Sequence, residues 1–279
     1  MLYFFAFLFQ LGFANTYTEQ KALVEKIDVT EHMGENISID LEFVHHSGKQ
    51  MPLSSLMNRD RPLLITLNYF SCETLCSVQL NALKGVLTDL DWSIGENFEI
   101  ITISIDPNET AELARKKREN YLTDLYLTKN SIENTSDLSA EQNDLLQKVI
   151  QSDNWHYMVG KKENIQKIAD ELGYGFAYDP VSKEYLHPAV VMVLSPQGMI
   201  SRYLYGISFD AKDLKFSLID AADGKVGSAM EKLILSCYSF DLSTGKYTPV
   251  AFKIMRLAGI ITVFGIGILV FGLRRQERV

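Results

Sequence analysis

The chain has 279 residues, of which 47% are hydrophobic and 22% charged, the composition of a globular protein with a sizeable buried core. Its formal net charge of -8 argues against a nucleic-acid partner, because binding to phosphates requires a basic surface. Three cysteines in a chain of this length exclude a disulfide-rich scaffold, whereas one pair and one odd cysteine suit a functional site.

Both ends of the chain are apolar. Residues 1–14 end in a small-x-small pattern at Gly12-Phe13-Ala14, which is typical of a secretory signal cleaved after Ala14; the alternative is a buried first strand. Residues 251–273 predict a transmembrane helix, and the three arginines of the tail 274–279 place the C-terminus in the cytoplasm. We therefore expect a single-pass protein of the bacterial inner membrane, with its soluble domain in the periplasm.

The region between these ends alternates strands and helices. Residues 61–70 and 97–106 are near-continuous apolar runs, typical of strands buried on both faces. Residues 35–49 predict a strand or hairpin, and residues 188–206 a hairpin around a Pro-Gln-Gly turn. The predicted helices cover residues 73–92, 109–122, 162–173 and 209–222.

This order of elements predicts an α/β fold, a thioredoxin-like sandwich over residues 15–223 with a mostly parallel sheet and an antiparallel edge hairpin. The stretch 129–150 begins polar and is interpreted as a surface insertion with a short helix. Residues 224–250 contain glycine turns and are interpreted as a linker that leads to the membrane helix.

Cys72 and Cys76 lie in "NYFSCETLCSVQL", where the buried strand gives way to the amphipathic helix. In open α/β sheets, ligand sites lie beyond the carboxyl ends of strands, and a helix N-terminus favours a thiolate over a thiol. Two thiolates at this spacing suit a soft metal such as Cu(I) or an exchangeable disulfide. A purely structural disulfide would close too short a loop to stabilise the fold much.

An imidazole is the expected third ligand of a two-thiolate copper site, and the chain has five histidines. His45 and His46 are adjacent on a strand and point to opposite faces, and His32 lies in a polar segment. His156 is interpreted as a packed or capping histidine. His187 directly precedes a buried strand, in the loop that faces the cysteine helix of a thioredoxin-like sheet, and is favoured as the ligand.

The chain resembles the SCO/SenC family, membrane-tethered thioredoxin-fold copper proteins that help to assemble cytochrome c oxidase. The resemblance covers about residues 35–215 and rests on four motifs: "NYFSCETLCSVQLNAL", "ISIDPNET", "WHYMVG" and "YLHPAVVMVLSPQGMISRYLYG". It implies a copper ion bound by Cys72, Cys76 and His187. It also implies that Asp106 is an acidic residue near the metal site. The alternative is that Asp106 only forms a turn.

The sequence departs from the family at several points. Ser77 stands where the family often has proline, and the predicted anchor is C-terminal rather than N-terminal. Cys237 lies in a segment found in family members with such a tail, and is interpreted as a buried thiol, with an intermolecular disulfide or a further redox group as alternatives.

The resemblance implies a metallochaperone that passes copper to the copper-site subunit of the oxidase, with other copper chaperones or thioredoxin-like reductants as further partners. The alternative is a thiol–disulfide oxidoreductase that keeps the copper-ligand cysteines of the oxidase reduced, in which case His187 only tunes a thiol pKa. A peroxide-reducing thioredoxin-like enzyme is a third interpretation, and it requires one essential cysteine. Enzyme activity is therefore left open.

Overall fold

The computed structural model describes residues 26–57, 60–71, 75–152, 154–207, 210–227, 238–241, 246–249 and 262. The side chains of residues 75–77, 238–241 and 246–249 are not described. The chain divides into two compact units, Met1–Val226 and Gly227–Val279. The predicted signal peptide, Cys237, the tail 274–279 and the predicted membrane helix apart from Thr262 lie outside the described residues. Within the part that is described, no helix is long and apolar enough to cross a membrane.

The first unit alternates strands and helices as the sequence predicts, with a further strand at Trp155–Val159 that the sequence analysis did not predict. Its strands are β1 (Glu42–His45), β2 (Gln50–Pro52), β3 (Leu63–Asn68), β4 (Glu99–Ser104), β5 (Trp155–Val159), β6 (Ala177–Asp179), β7 (Glu184–Leu186), β8 (Val190–Leu194) and β9 (Ile200–Tyr205). Its α-helices are α1 (Leu75–Asp89), α2 (Ala111–Lys129), α3 (Ala140–Gln151), α4 (Lys162–Glu171) and α5 (Ala211–Ala222). Two 3₁₀ turns cover Leu53–Leu56 and Thr135–Asp137.

Seven strands form one sheet in the order β2-β1-β5-β4-β3-β8-β9. At its centre, β3 pairs in parallel with β4 and β4 in parallel with β5, whereas the pairs at both edges are antiparallel. Strands β2, β5, β4, β3 and β9 therefore point in one direction, and β1 and β8 oppose them. The predicted parallel centre of the sheet and its antiparallel edge hairpin are confirmed, with the hairpin formed by β8 and β9, and the opposite edge is antiparallel as well.

Two apolar layers cover the sheet, and the side chains of β3 alternate between them. Leu63, Ile65 and Leu67 belong to one buried cluster, which includes Ile168 of α4. Leu64 belongs to the other cluster, on the face covered by α1, α2 and α5. Because both faces are covered, every residue of β3 and of β4 is buried, which explains the continuous apolar runs in the sequence.

The polar stretch 129–150 contains α3, which packs against α2. Ser139 caps this helix, and its hydroxyl accepts a hydrogen bond from the backbone N–H of Gln142 at 3.2 Å while the Gln142 side chain accepts one from the Ser139 N–H at 2.9 Å. The reciprocal pair satisfies two backbone groups that a helix start would otherwise leave unpaired. The inserted stretch thus carries its own start signal for a helix.

Two short hairpins were not predicted. Strands β6 and β7 pair antiparallel between α4 and β8, and each has three residues, too few for a clear alternation in the sequence. In the second unit, β10 (Tyr238–Asp241) and β11 (Lys246–Pro249) pair antiparallel within the stretch interpreted as a linker.

Candidate metal centre

The predicted site residues come from the end of β3, the end of β4 and the segment before β8. Because β3 and β4 are parallel, their carboxyl ends meet at one edge of the sheet. Strand β8 runs antiparallel to β3, with Thr66 opposite Val191, so the residues that precede β8 lie beside those that follow β3. The ring of His187 accordingly lies against that of Tyr69, with 6.2 Å between the ring centroids.

His187 is buried, with 4% of its surface exposed. Its Nδ1 lies 2.8 Å from the hydroxyl of Tyr174 and 3.1 Å from the carbonyl oxygen of Pro188. Since a carbonyl can only accept, the contact with Pro188 requires a proton on Nδ1, and the lone pair that a metal can bind is then on Nε2. Burial lowers the pKa of His187 and outweighs the opposing effect of the Pro188 hydrogen bond, so the neutral ring is favoured.

Of the two paired cysteines, Cys76 is the second residue of α1, and its side chain is not described. Cys72 lies outside the described residues. The position of Cys76 in the first turn places it where the helix dipole favours a thiolate. No group of three histidine, cysteine or acidic side chains able to hold a metal occurs among the described residues, which leave out both cysteine side chains.

Asp106 follows β4 and makes the turn that leads to α2. Its Oδ1 accepts hydrogen bonds from the backbone N–H and from the side-chain amide of Asn108, both at 2.9 Å. Burial raises the pKa of Tyr185 to about 12, together with the negative charge of the Asp106 carboxylate. Asp106 therefore has the contacts of a turn aspartate, and its charge acts on an aromatic side chain that lines the same cavity.

Glu109 is a site residue that sequence reasoning missed. Its carboxylate accepts hydrogen bonds from the backbone N–H groups of Phe70 at 2.8 Å and Ser71 at 2.6 Å, and from the Ser104 hydroxyl at 2.6 Å. It thus connects the ends of β3 and β4 directly before Cys72. No sequence pattern marks this role, because an acidic residue just ahead of a helix is expected from the helix dipole alone.

Two buried amides flank the cysteine pair in the sequence. Asn68, the last residue of β3, has no exposed surface, and neither its Oδ1 nor its Nδ2 has a hydrogen-bond partner among the described residues. Gln79 of α1 is equally buried, and its Nε2 donates to the carbonyl oxygen of Val190 at 2.8 Å. The Oε1 of Gln79 has no partner in the described part of the chain.

A cavity of about 710 Å³ lies beside the loop that precedes Cys72. Tyr69, Phe176, Tyr178 and Tyr185 supply aromatic walls, and Asp106 is part of the polar lining. Phe176 and Tyr178 come from the segment around β6, and Tyr185 from β7. The hairpin that the sequence did not predict thus shapes the surface next to the candidate site.

The remaining histidines lie elsewhere. His45 and His156 are buried and pair through Nε2 and Nδ1 at 3.2 Å. The expectation that His45 and His46 point to opposite faces is wrong: their rings lie 3.8 Å apart, because β1 ends at His45 and His46 does not continue the strand. His156 is the second residue of β5, so this cluster is near the amino end of that strand, opposite the carboxyl ends that carry the site. The Nδ1 of His32 lies 3.0 Å from the carbonyl oxygen of Glu171. The structure therefore places His187, and none of these four, beside the end of β3.

Residues 29–123 match the family model SCO1/SenC, which confirms the resemblance carried by the sequence motifs. The matched segment includes the cysteine pair and Asp106 but ends before His187. No curated protein matches the chain.

The chain is similar to several solved structures. A protein of Aquifex aeolicus VF5 is 22% identical, with a TM-score of 0.54 over 69% of this chain and 95% of its own. Arabidopsis thaliana ScoI with copper bound is 14% identical, with a TM-score of 0.48 over 69% of this chain and 99% of its own. Yeast Sco1 with copper bound is 14% identical, with a TM-score of 0.47 over 72% of this chain and 93% of its own.

Proposed function

We propose that this chain binds one copper ion through Cys72, Cys76 and His187 and delivers it to cytochrome c oxidase during assembly of that enzyme. The observation that carries the proposal is the position of His187 beside the carboxyl end of β3, with its Nδ1 held by Tyr174 and Pro188. Copper is the cargo of the protein in this proposal.

The donor set fits copper. Thiolates are soft ligands that select Cu(I), and imidazole binds both oxidation states of the metal. A metal must displace a proton from any ligand that carries one, so a histidine whose pKa is lowered by burial is ready to bind at neutral pH. The contacts of His187 through Nδ1 match the general pattern in which a metal-binding histidine is oriented through its other ring nitrogen.

The chain resembles the SCO/SenC family, whose members help to assemble cytochrome c oxidase. We take the oxidase as the recipient of the copper from this resemblance. We further propose the topology given by the chain ends: export by the signal 1–14, a soluble domain in the periplasm and an anchor at 251–273. Tethering beside a membrane-bound recipient would raise the effective concentration of the partner without any additional contact.

The second candidate function is thiol–disulfide exchange with the oxidase, favoured by the position of Cys76 in the first turn of α1. In this reaction a thiolate of the reduced pair attacks a disulfide of the partner and forms a mixed disulfide. The second cysteine then closes the Cys72–Cys76 disulfide, and the partner leaves with two thiols. Two electrons pass from the pair to the partner. Copper binding and thiol–disulfide exchange are compatible in one protein, because copper binds only when the cysteine pair is reduced.

The test is a copper titration of the reduced full-length chain, beside His187→Ala, Cys72→Ser and the control His32→Ala, with metal analysis and absorption spectroscopy. We expect one copper per chain in the wild type and in the His32 variant, with a thiolate-to-copper(II) band after loading with Cu(II). Both signals should be lost in the other two variants. Full copper retention in His187→Ala would refute the ligand assignment. An absence of copper binding, with a pair that still cycles in a glutathione buffer, would favour the oxidoreductase.

A further inference from the structure

An amino-terminal strap, residues 26–32, runs along the segment between α4 and β6. The N–H of Thr30 donates a hydrogen bond to the carbonyl oxygen of Gly173 at 2.8 Å, and the N–H of Gly175 donates one to the carbonyl oxygen of Asp28 at 2.9 Å. These two bonds lie on either side of a single residue, number 174, which is therefore the centre of the paired stretch.

The close approach of the strap limits the size of the residues beside it. A Cβ atom on Gly175 would lie 2.2 Å from the carbonyl oxygen of Lys26, and one on Gly173 would lie 1.7 Å from that of Thr30. Gly173 has a φ of +59°, which favours glycine by itself, whereas the φ of Gly175 is not positive. At residue 175, contact with the strap is therefore what excludes a larger side chain.

Tyr174 connects the strap to the proposed histidine ligand. Its backbone forms an antiparallel bridge with Val29 of the strap, and its side chain is buried. The hydroxyl of this side chain lies 2.8 Å from Nδ1 of His187 and 2.9 Å from the carbonyl oxygen of Pro188. A displacement of the strap would therefore reach the ring of His187 through one intervening residue.

The strap lies largely at the surface. Its exposed residues are Lys26, Asp28, Thr30 and Glu31. A cavity of about 690 Å³ lies beside it, lined by residues of the strap, of α4 and of the segment 173–178. Exposed backbone hydrogen bonds and sparse apolar packing mark a segment that opens locally at a lower free energy than the core. We therefore expect the strap to detach more readily than the strands of the sheet.

We propose that docking of the strap sets the copper affinity of the site. The docked strap fixes the backbone of Tyr174, whose hydroxyl orients the imidazole of His187 through Nδ1. The inference rests on the proposed copper site and adds its regulation, since removal of the strap weakens copper binding and favours release. Because coupling between two sites is reciprocal, copper binding in turn holds the strap in place.

The experiment compares the reduced full-length wild type with two strap variants. Gly175→Ala adds a methyl group that displaces the strap, and Thr30→Pro removes the N–H that bonds to Gly173. A competition titration against a Cu(I) chelator should give an affinity about tenfold lower in both variants, as expected for the loss of a group that orients a metal ligand. The second variant keeps the test valid if the first fails to fold.

The control is Gly95→Ala, an equally crowded glycine at the other edge of the sheet. Its Cβ atom would lie 2.2 Å from the side chain of Asn154, and the residue precedes β4, whose opposite end carries the site. This variant should be less stable than the wild type and bind copper with the same affinity. A loss confined to the strap variants is then not a general effect of instability.

Two further measurements follow the coupling itself. In the copper-free chain at constant pH, ¹⁵N NMR of the His187 ring reports which nitrogen carries the proton. We expect the form with the proton on Nδ1 to lose population in the strap variants and to keep it in Gly95→Ala. Hydrogen exchange at the Thr30 amide of the wild type should become slower when Cu(I) is bound.

The outcomes separate this inference from the copper proposal. Wild-type copper affinity in both strap variants would overturn the inference and leave the copper proposal standing. A wild-type chain that binds no copper would refute the copper proposal. In that case a changed His187 signal in the strap variants would still support the positioning role of the strap, and an unchanged signal would overturn it.

Discussion

The hydroxyl of Tyr174 lies 2.8 Å from Nδ1 of His187 and 3.0 Å from the carbonyl oxygen of Leu67. One side chain therefore links the proposed histidine ligand to β3, the strand that leads to the cysteines. The phenol orients the imidazole through Nδ1, which would leave Nε2 as the nitrogen able to bind the proposed copper ion.

We expect Tyr174→Phe to weaken copper binding about tenfold, because loss of a group that orients a metal ligand typically costs 10–100-fold in affinity. A competition titration of the reduced protein against a Cu(I) chelator measures the change. Tyr203→Phe is the matched control, since the Tyr203 hydroxyl donates to the carbonyl oxygen of Leu172 at 3.1 Å, away from His187. Equal affinities for the two variants would contradict the role of Tyr174.

Glu109→Gln should destabilise the fold by about 1–3 kcal/mol and weaken copper binding, because an amide has one acceptor oxygen for the three donors that the carboxylate now binds. Urea unfolding and the same chelator competition provide both measurements. Glu112→Gln, at an exposed position in the first turn of α2, is the control and should change neither quantity by much. A Glu109 variant that behaves like this control would show that the carboxylate is dispensable for the loop before Cys72.

The phenol of Tyr185 should titrate near pH 12, since burial and Asp106 raise its pKa to about 12 from the ordinary value of 10. Below pH 10 the phenol is neutral in both the folded and the unfolded chain. Above it the unfolded chain ionises first, so this group makes the fold less stable as the pH rises from about 10 to about 12. The difference in phenolate absorbance between wild type and Tyr185→Phe measures the titration. In Asp106→Asn the midpoint should move back toward 10, and a midpoint that stays near 12 would mean that Asp106 does not contribute to the raised pKa.

Arg118 holds the turn between α3 and β5. Its guanidinium, which is buried, donates to the carbonyl oxygens of Trp155 at 2.6 Å, Ile150 at 2.8 Å and Ser152. Arg118→Met leaves these carbonyls without that donor and should lower the free energy of unfolding by about 3 kcal/mol.

Urea unfolding checks the prediction for Arg118, with Arg115→Met on the exposed side of α2 as the control. The Arg115 guanidinium makes a pair with Glu119 at 3.7 Å, and such surface pairs contribute little. Copper stoichiometry should be the same in both variants, since neither residue is near the site. A loss of less than 1 kcal/mol in Arg118→Met would mean that the turn is held by other contacts.

The parts of the molecule that the sequence predicted are those in which local pattern and tertiary environment agree. The runs in β3 and β4 are apolar because both faces are covered, and Cys76 follows β3 at the start of a helix. His187 could be chosen among five histidines because it precedes a buried strand. The structure brings it beside β3, as expected from the fold.

The parts that the sequence did not predict depend on contacts between distant residues. Glu109 bonds to backbone groups 39 and 38 positions away, and no pattern marks an acceptor for a backbone N–H. Tyr174 follows a helix end and bonds across to Leu67, at a separation of 107 residues. The strand predicted at 61–70 includes Asn68, but no sequence pattern indicates that its buried amide has no hydrogen-bond partner among the described residues.

The pairing of β8 with β3 has a consequence for the nascent chain. Until the residues around 190 have been synthesised, β3 lacks its neighbour on one side and presents six residues that are all buried in the finished protein. An exposed apolar edge of this kind is prone to pair with strands of other molecules. Chains cut short before β8 should therefore aggregate rather than persist as partly folded monomers.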